Sequence, residues 1–376
     1  YFINTTSNAC TVTLPASPNV GDQVILLDYA RTWDTNAITI DSNGNDFQNQ
    51  ADTYTVDYDT EGQGINIVFS GSTNGWIPNS DIANALTPVA PTTQLGVIAF
   101  GNSGSYTSLK NLINSSAVVQ ADVTGVGTVR NKLAASNYGG DKAVFAFGSD
   151  GTGPLNANNL CSNTGVISTD GTAVGTARGY LGAAPYGVGL AIFAYGQATG
   201  VVNTKNLVNS SGVIASDASG TGTARGACAA AGYGTDKAVF GFGYNGSSVI
   251  NLISNTGVQA SDSGGTGTSR SRLGCATYDN DKAIFAFGFV DGTGNVAMSN
   301  LVSNTGVVAA DVSAVGSIRR DVYGTNIGPQ AIMGYGLDNS GITGVTNIIS
   351  TTGVIQSDVS VVGTARQAPA MSGYGF

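Results

Sequence analysis

The chain has 376 residues, of which 15 are Lys or Arg, 24 are Asp or Glu and none is His, for a net charge of −9. The absence of His excludes a His-based triad, a His general base and the usual His-rich zinc site, and the acidic balance argues against binding a phosphate backbone or anionic lipid. Charged residues are scarce at 10% and Gly, at 54, has about twice its usual share, yet a hydrophobic content of 41% suffices for a core.

Residues 1–80 alternate apolar and polar positions in short runs: Thr11-Val12-Thr13-Leu14, Gln23-Val24-Ile25-Leu26-Leu27, Ala37-Ile38-Thr39-Ile40 and Gly64-Ile65-Asn66-Ile67-Val68-Phe69. Turn clusters such as Asp41-Ser42-Asn43-Gly44-Asn45 divide them, which predicts a small all-β module. That cluster also spaces oxygen-bearing side chains as a calcium loop does. An EF-hand loop needs Gly sixth and Glu twelfth, whereas Asp46 and Asp52 stand there, so we read a hairpin turn and no metal. Residues 81–94, with Pro88 and Pro91, read as a linker, extended in part and with room for one helical turn. No apolar run approaches the roughly 18–20 residues of a membrane span, and no basic segment leads into an apolar core as in a signal peptide. Opening on Tyr1, the chain reads as part of a longer polypeptide.

A repeat occupies the remainder, residues 95–376. Asn111, Asn159, Asn206, Asn251, Asn300 and Asn347 are each followed eleven residues later by Asp122, Asp170, Asp217, Asp262, Asp311 and Asp358. Eight residues further stand Arg130, Arg178, Arg225, Arg270, Arg319 and Arg366, each closing a Gly-Ser/Thr-x-Arg tetrapeptide. Successive arginines are 48, 47, 45, 49 and 47 residues apart. Eighteen residues after four of them a Gly ends an apolar run (Gly148, Gly196, Gly243, Gly288), as in Ala143-Val144-Phe145-Ala146-Phe147, and Gly336 follows Arg319 by 17. Such a run suits a strand buried on both faces.

Each copy divides into four strands: Arg178 to Tyr186, Leu190 to Gly196, a third around Asn206-Leu207-Val208, and a fourth from Val213 to Asp217 beyond the turn Asn209-Ser210-Ser211-Gly212. Four strands per 45–49 residues predict a β-propeller. The small residues of strand one (Ala134-Ala135, Ala183-Ala184, Ala229-Ala230-Ala231) suit strands crowded on one axis. Copy one opens at strand two, Gly96 to Gly101, while the chain ends on a strand one, Arg366 to Tyr374. The C-terminal strand is therefore expected to complete the first blade and close a ring of six, removing exposed sheet edges.

With its Arg, small inner strand and apolar strand ending in Gly, the repeat resembles kelch over about 280 residues, without the Gly-Gly doublet or the outer-strand Trp. The N-terminal run from Gly21-Asp22-Gln23-Val24 through Ser70-Gly71-Ser72-Thr73-Asn74-Gly75-Trp76-Ile77 resembles a module of bacteriophage tail-fibre and related virion proteins. Phrases such as Asp-Lys-Ala-Ile-Phe-Ala-Phe-Gly (281–288) and Leu-Val-Ser-Asn-Thr-Gly-Val-Val (301–308) resemble repeats of marine phage structural proteins. The resemblance implies an extracellular virion appendage, a homo-oligomer with a trimer favoured, assembled through its N-terminal module beside other virion proteins. It is expected to bind a host-surface glycan or receptor, without nucleic acid, membrane insertion or cofactor. A purely structural head, neck or tail decoration protein is one alternative, and a glycan depolymerase another.

Little in the chain reads as catalytic, and we expect no enzyme. Cys10, Cys161, Cys228 and Cys275 form no CxxC pair and read as lone thiols. The sialidase boxes are missing, no carboxylate pair stands out for glycoside hydrolysis, and no Gly-Lys-Ser/Thr follows the glycines around Thr223. Each Asp and the Arg eight residues beyond it are expected to stitch one blade to the next. Variation falls in the loops between strands two and three, 102–110, 149–158, 197–205, 244–250, 289–299 and 337–346. Tyr106, Tyr244, Asn245, Phe289, Asp291 and Asn339 are their candidate ligand-binding groups, by stacking and amide hydrogen bonds.

Overall fold

The computed structural model describes residues 1–52, 56–80, 94–172, 174–244, 248–313, 315–360 and 363–374, so most of the expected linker and Asn245 lie outside the described residues. The protein is all-β, and among the described residues every regular element is a strand. It divides into two compact units, Tyr1–Pro91 and Thr92–Phe376.

In the first unit Phe2–Ile3, Gln23–Asp28, Gly64–Phe69 and Trp76–Pro78 form one sheet in that order, and Cys10–Thr13, Ile38–Asp41 and Val56–Tyr58 form another. The edge strands Phe2–Ile3 and Cys10–Thr13 pair in parallel with their neighbours. Alternation sends Leu26, Ile65, Ile67 and Trp76 of the first sheet and Ile38, Ile40, Val56 and Tyr58 of the second into one buried cluster. The loop at Asp41 is a hairpin-type turn: Asp52 accepts from the Ser42 hydroxyl at 2.5 Å and from the Gly44 amide at 2.8 Å, and no metal-holding group of acidic or thiol side chains occurs among the described residues. Gly75, at φ +67°, packs so close that a Cβ would meet the Asp46 carbonyl at 1.6 Å.

Among the described residues the second unit contains six sheets of three or four strands, each an antiparallel run, besides the two-stranded hairpin Phe289–Val290/Gly294–Asn295. Ala370–Gly373, Gln94–Ala99 and Lys110–Asn114 make the first, joining the two ends of the unit. Ala134–Tyr138, Lys142–Ala146 and Asn158–Cys161 make the second. The third to sixth begin with Gly182–Tyr186, Ala229–Tyr233, Gly274–Tyr278 and Tyr323–Ile327. Each sheet's first strand lies beside that of the next, and Tyr323–Ile327 lies beside Ala370–Gly373, so the six follow one another in a cycle.

Packing repeats the same cycle. The second strand of every sheet is buried on both faces; Val144 packs toward Phe193 of the third sheet while Phe145 packs toward Phe100 of the first. Six apolar clusters result, one between each successive pair, and Ile98, Ile113 and Met371 of the first sheet join Ile327, Ile332 and Tyr335 of the sixth.

Two strand readings need correction. Regular pairing of strand one starts at Gly182 rather than Arg178, because Tyr180 takes a left-handed backbone, φ 54°. The outermost strand is not the continuous Val213–Asp217: Ile214 makes an isolated bridge to Val208, and pairing resumes only at Ala218–Ser219. The Asn206 amide fills the gap by donating to the Ala215 carbonyl and the Asp217 carboxylate, both at 2.9 Å, so a side chain takes the place of a ladder bond.

Candidate functional site

The repeat residues build six clasps on one pattern. In the second sheet Arg130 donates to Asn159 Oδ1 at 2.7 Å, and Asn159 Nδ2 donates to Asp170 at 2.9 Å. Asp170 also accepts from the Thr128 amide and, at 2.6 Å, from its hydroxyl. Thr128 is the Ser/Thr of the tetrapeptide. The same quartet recurs with Arg178, Arg225, Arg270 and Arg319, and Arg366 and Thr364 complete the first sheet's clasp with Asn111 and Asp122. The expected pairing was wrong by one copy. Asp170 lies against Arg130, 3.9 Å away, rather than Arg178, so each ion pair spans a single sheet, and five of the six come within 4 Å.

Sheet is tied to sheet by other atoms of the same arginine. Its carbonyl accepts from the Gly ending the preceding sheet's second strand, as in Gly148 N to Arg178 O at 2.9 Å, and this recurs around the cycle. Its guanidinium lies over the aromatic ring before that Gly: Phe100, Phe147, Tyr195, Phe242, Phe287 and Tyr335, with 3.9–4.8 Å to the centroid. All six aromatics have positive φ, which turns each ring out of its own ladder toward the next sheet. Burial pulls the Arg130, Arg178, Arg270 and Arg319 pKa down to about 10. Burial also tends to raise the six aspartates' pKa, but hydrogen bonds from the Thr or Ser and Asn, with the arginine charge, bring all six below the usual carboxylate value. These twelve residues hold the sheets together.

Two residues beyond each arginine the chain is uniform in backbone and varied in chemistry. Lys132, Tyr180, Ala227, Arg272, Asp321 and Ala368 all have φ between 46° and 56°. Their main chains bond head to tail: Lys132 O accepts from Tyr180 N, Tyr180 O from Ala227 N, Ala227 O from Arg272 N, Arg272 O from Asp321 N, and Ala368 O from Lys132 N, at 2.7–3.1 Å. The result is a collar at one end of the cycle of first strands. Left-handed residues with side chains cost of order 1–2 kcal/mol each, a strain the surrounding sheets hold in place.

Chemically distinct side chains meet at this collar. The Arg272 Nε donates to Tyr244 Oη at 3.1 Å, and the Tyr180 and Tyr244 rings meet edge to face at 5.6 Å. Lys132 Nζ lies 4.8 Å from the Tyr180 centroid, and Arg272 NH1 is 3.8 Å from Asp321 Oδ2. Below them a cavity of about 50 Å³ is lined by Tyr180, Arg272, Asp321, Tyr323 and the small residues of strand one. Tyr323 occupies a frame position held in the other copies by Ala134, Gly182, Ala229, Gly274 and Ala370, so its ring narrows the axis. A space of this size admits a few waters or one small polar group. Burial raises the Asp321 pKa against the opposing charges of Arg272, Arg320 and Lys132. Burial works against the Arg272 charge, but Asp321, Tyr180 and Tyr244 outweigh it and raise its pKa.

The loop candidates divide. Tyr244 joins the collar directly. Phe289 lies under Arg320, 5.1 Å from its centroid, and Arg320 reaches Asn339 through Asn295, each step 3.1 Å. Tyr106 instead packs on Gly151, where a Cβ would meet its ring at 2.6 Å. Asp291 is exposed at the tip of the short hairpin Phe289–Val290/Gly294–Asn295 and joins none of these groups. The signal for the collar was the position two after the arginine, where the six copies read Lys, Tyr, Ala, Arg, Asp and Ala. No family model and no curated protein matches this chain.

Proposed function

We propose that the second unit is a six-bladed, kelch-like β-propeller and that the protein is a fibre-like virion component whose collar end binds a glycan or receptor on the host surface. The six sheets in cyclic order, with Ala370–Gly373 paired to Gly96–Ala99, support the architecture. The collar carries the binding reading: one rigid frame presents an amine, a guanidinium, a carboxyl group and two tyrosines around one opening. Rigid backbone with varied side chains is what recognition requires and bare scaffolding does not.

In the first unit Phe2, Ile25, Leu27 and Tyr29 leave an apolar surface exposed, with Phe2 and Tyr29 in edge contact, which favours assembly through this unit. Binding of the full chain to an array of host-type glycans tests the main reading. Retention of selected glycans by the native protein and their loss on Tyr180→Ala supports collar recognition. An array on which nothing is retained, together with phage particles that still adsorb after the chain is deleted, leaves the decoration role instead.

A further inference from the structure

We propose that the collar is an anion site, taking the carboxylate of an acidic sugar between Lys132 and Arg272 with the sugar ring against Tyr180 and Tyr244. This rests on the glycan-binding reading above and narrows it to uronic- or sialic-acid-bearing chains.

Unspent valence is the first argument. Among the described residues the Lys132 ammonium makes no hydrogen bond and only faces the Tyr180 ring. Arg272 uses its Nε on Tyr244, while its two terminal nitrogens donate to no side chain or carbonyl and approach Asp321 no closer than 3.8 Å. A guanidinium's paired N–H groups fit a carboxylate in bidentate fashion. The second argument is charge. In a chain of net charge −9, three of its 15 cations, Lys132, Arg272 and Arg320, surround the single Asp321. Depth decides which of them a ligand meets. The Arg272 side chain is 28% exposed and that of Asp321 only 6%, so an entering group reaches the guanidinium before the carboxyl. The third argument is size. A cavity of about 50 Å³ has room for a carboxylate, and the two tyrosines offer the sugar ring a surface beside it.

Calorimetric titration of the full chain with oligogalacturonate, oligomannuronate and oligosialic acid, each beside its carboxyl-reduced neutral form, tests this. At least one acidic glycan should bind, at least tenfold more tightly than its reduced form and more weakly as salt rises. Lys132→Gln should weaken it about tenfold at unchanged melting temperature, Arg272→Gln should weaken it at least as much, and Arg272→Lys should restore part of that loss. Asp321→Asn should tighten binding, since it removes the one opposing charge. Equal binding of acidic and reduced forms, or weaker binding by Asp321→Asn, would overturn the anion site while leaving a glycan reading intact, and equal binding of oligoglutamate would overturn the acidic sugar as its ligand. Failure of every glycan, acidic or neutral, sinks the glycan reading itself.

Discussion

Two positions separated by a single residue behave in opposite ways in this protein. At Arg130 and its five counterparts one side chain is repeated without exception, each is buried, and each makes the same contact with an asparagine. Two residues on, at Lys132 and its counterparts, the backbone repeats but the side chains do not. The arginine position has no freedom because its head group must satisfy an asparagine in its own sheet and cover a ring in the preceding one. The collar position has freedom because its contribution to the frame comes from the main chain, and any residue supplies an N–H and a carbonyl. Uniform positions build the object, and varied ones leave its collar free to differ in chemistry.

The comparison is broken most severely at the seam. Truncation before Thr364 removes the partners of Asn111 and Asp122 and leaves Gly96–Ala99 with a bare edge. The second unit is expected to lose its cooperative melting transition and to aggregate, and a truncated chain that melts like the intact one in calorimetry contradicts this. Arg178→Ala strips one clasp, leaving Asn206 and Asp217 without their cation. The expected cost is about 3–5 kcal/mol in denaturant titration, whereas Tyr180→Ala at the collar should cost far less.

Acid acts on all six clasps together. Because the aspartates' folded pKa lies below the unfolded value, their stabilisation is complete above the unfolded value and is lost as pH falls through the folded one. The melting temperature should therefore drop steeply below about pH 4, and Asp170→Asn should flatten part of that drop. A smaller effect sharpens the contrast at the outer turns. A Cβ on Gly212 would meet the Tyr138 ring at 2.8 Å, so Gly212→Ala should cost about 1–3 kcal/mol. Tyr138→Ile should recover part of it, as Ala117 and Ile327 already pack together at the equivalent place. Smallest of all, Ala227→Gly should raise stability by up to about 1 kcal/mol, by relieving a left-handed alanine at φ 53°. A loss there, by thermal melting, would mean that the methyl contributes more than the strain costs.

Much of the frame was legible in the residues. The Asn, Asp and Arg spacing located all six copies, and the unmatched ends at Gly96 and Tyr374 pointed to the pair that joins them. The partner of each arginine was not legible. Asp122 stands eight residues before Arg130 but clasps Arg366, 244 residues away in sequence, because a sheet returns its outer end to its own first strand and not to the following one. The collar positions were not singled out in the sequence. Tyr244 and Phe289 were reached through the loops, whereas Lys132, Tyr180, Arg272 and Asp321 sit within an apparently regular strand one, where periodicity hides a left-handed turn.

By itself, then, the sequence determined what depends on order along the chain: an all-β protein, two kinds of region, six equivalent copies, and second strands apolar enough to be buried on both sides. These follow from local pattern, since side-chain period and turn residues act over a few positions. Only the tertiary structure decided which copies face each other, which aromatic lies under which guanidinium, and which side chains meet at the collar. Those choices depend on the direction a backbone takes at single residues such as Phe147 and Tyr180, where packing against neighbouring sheets overrides the local preference for negative φ.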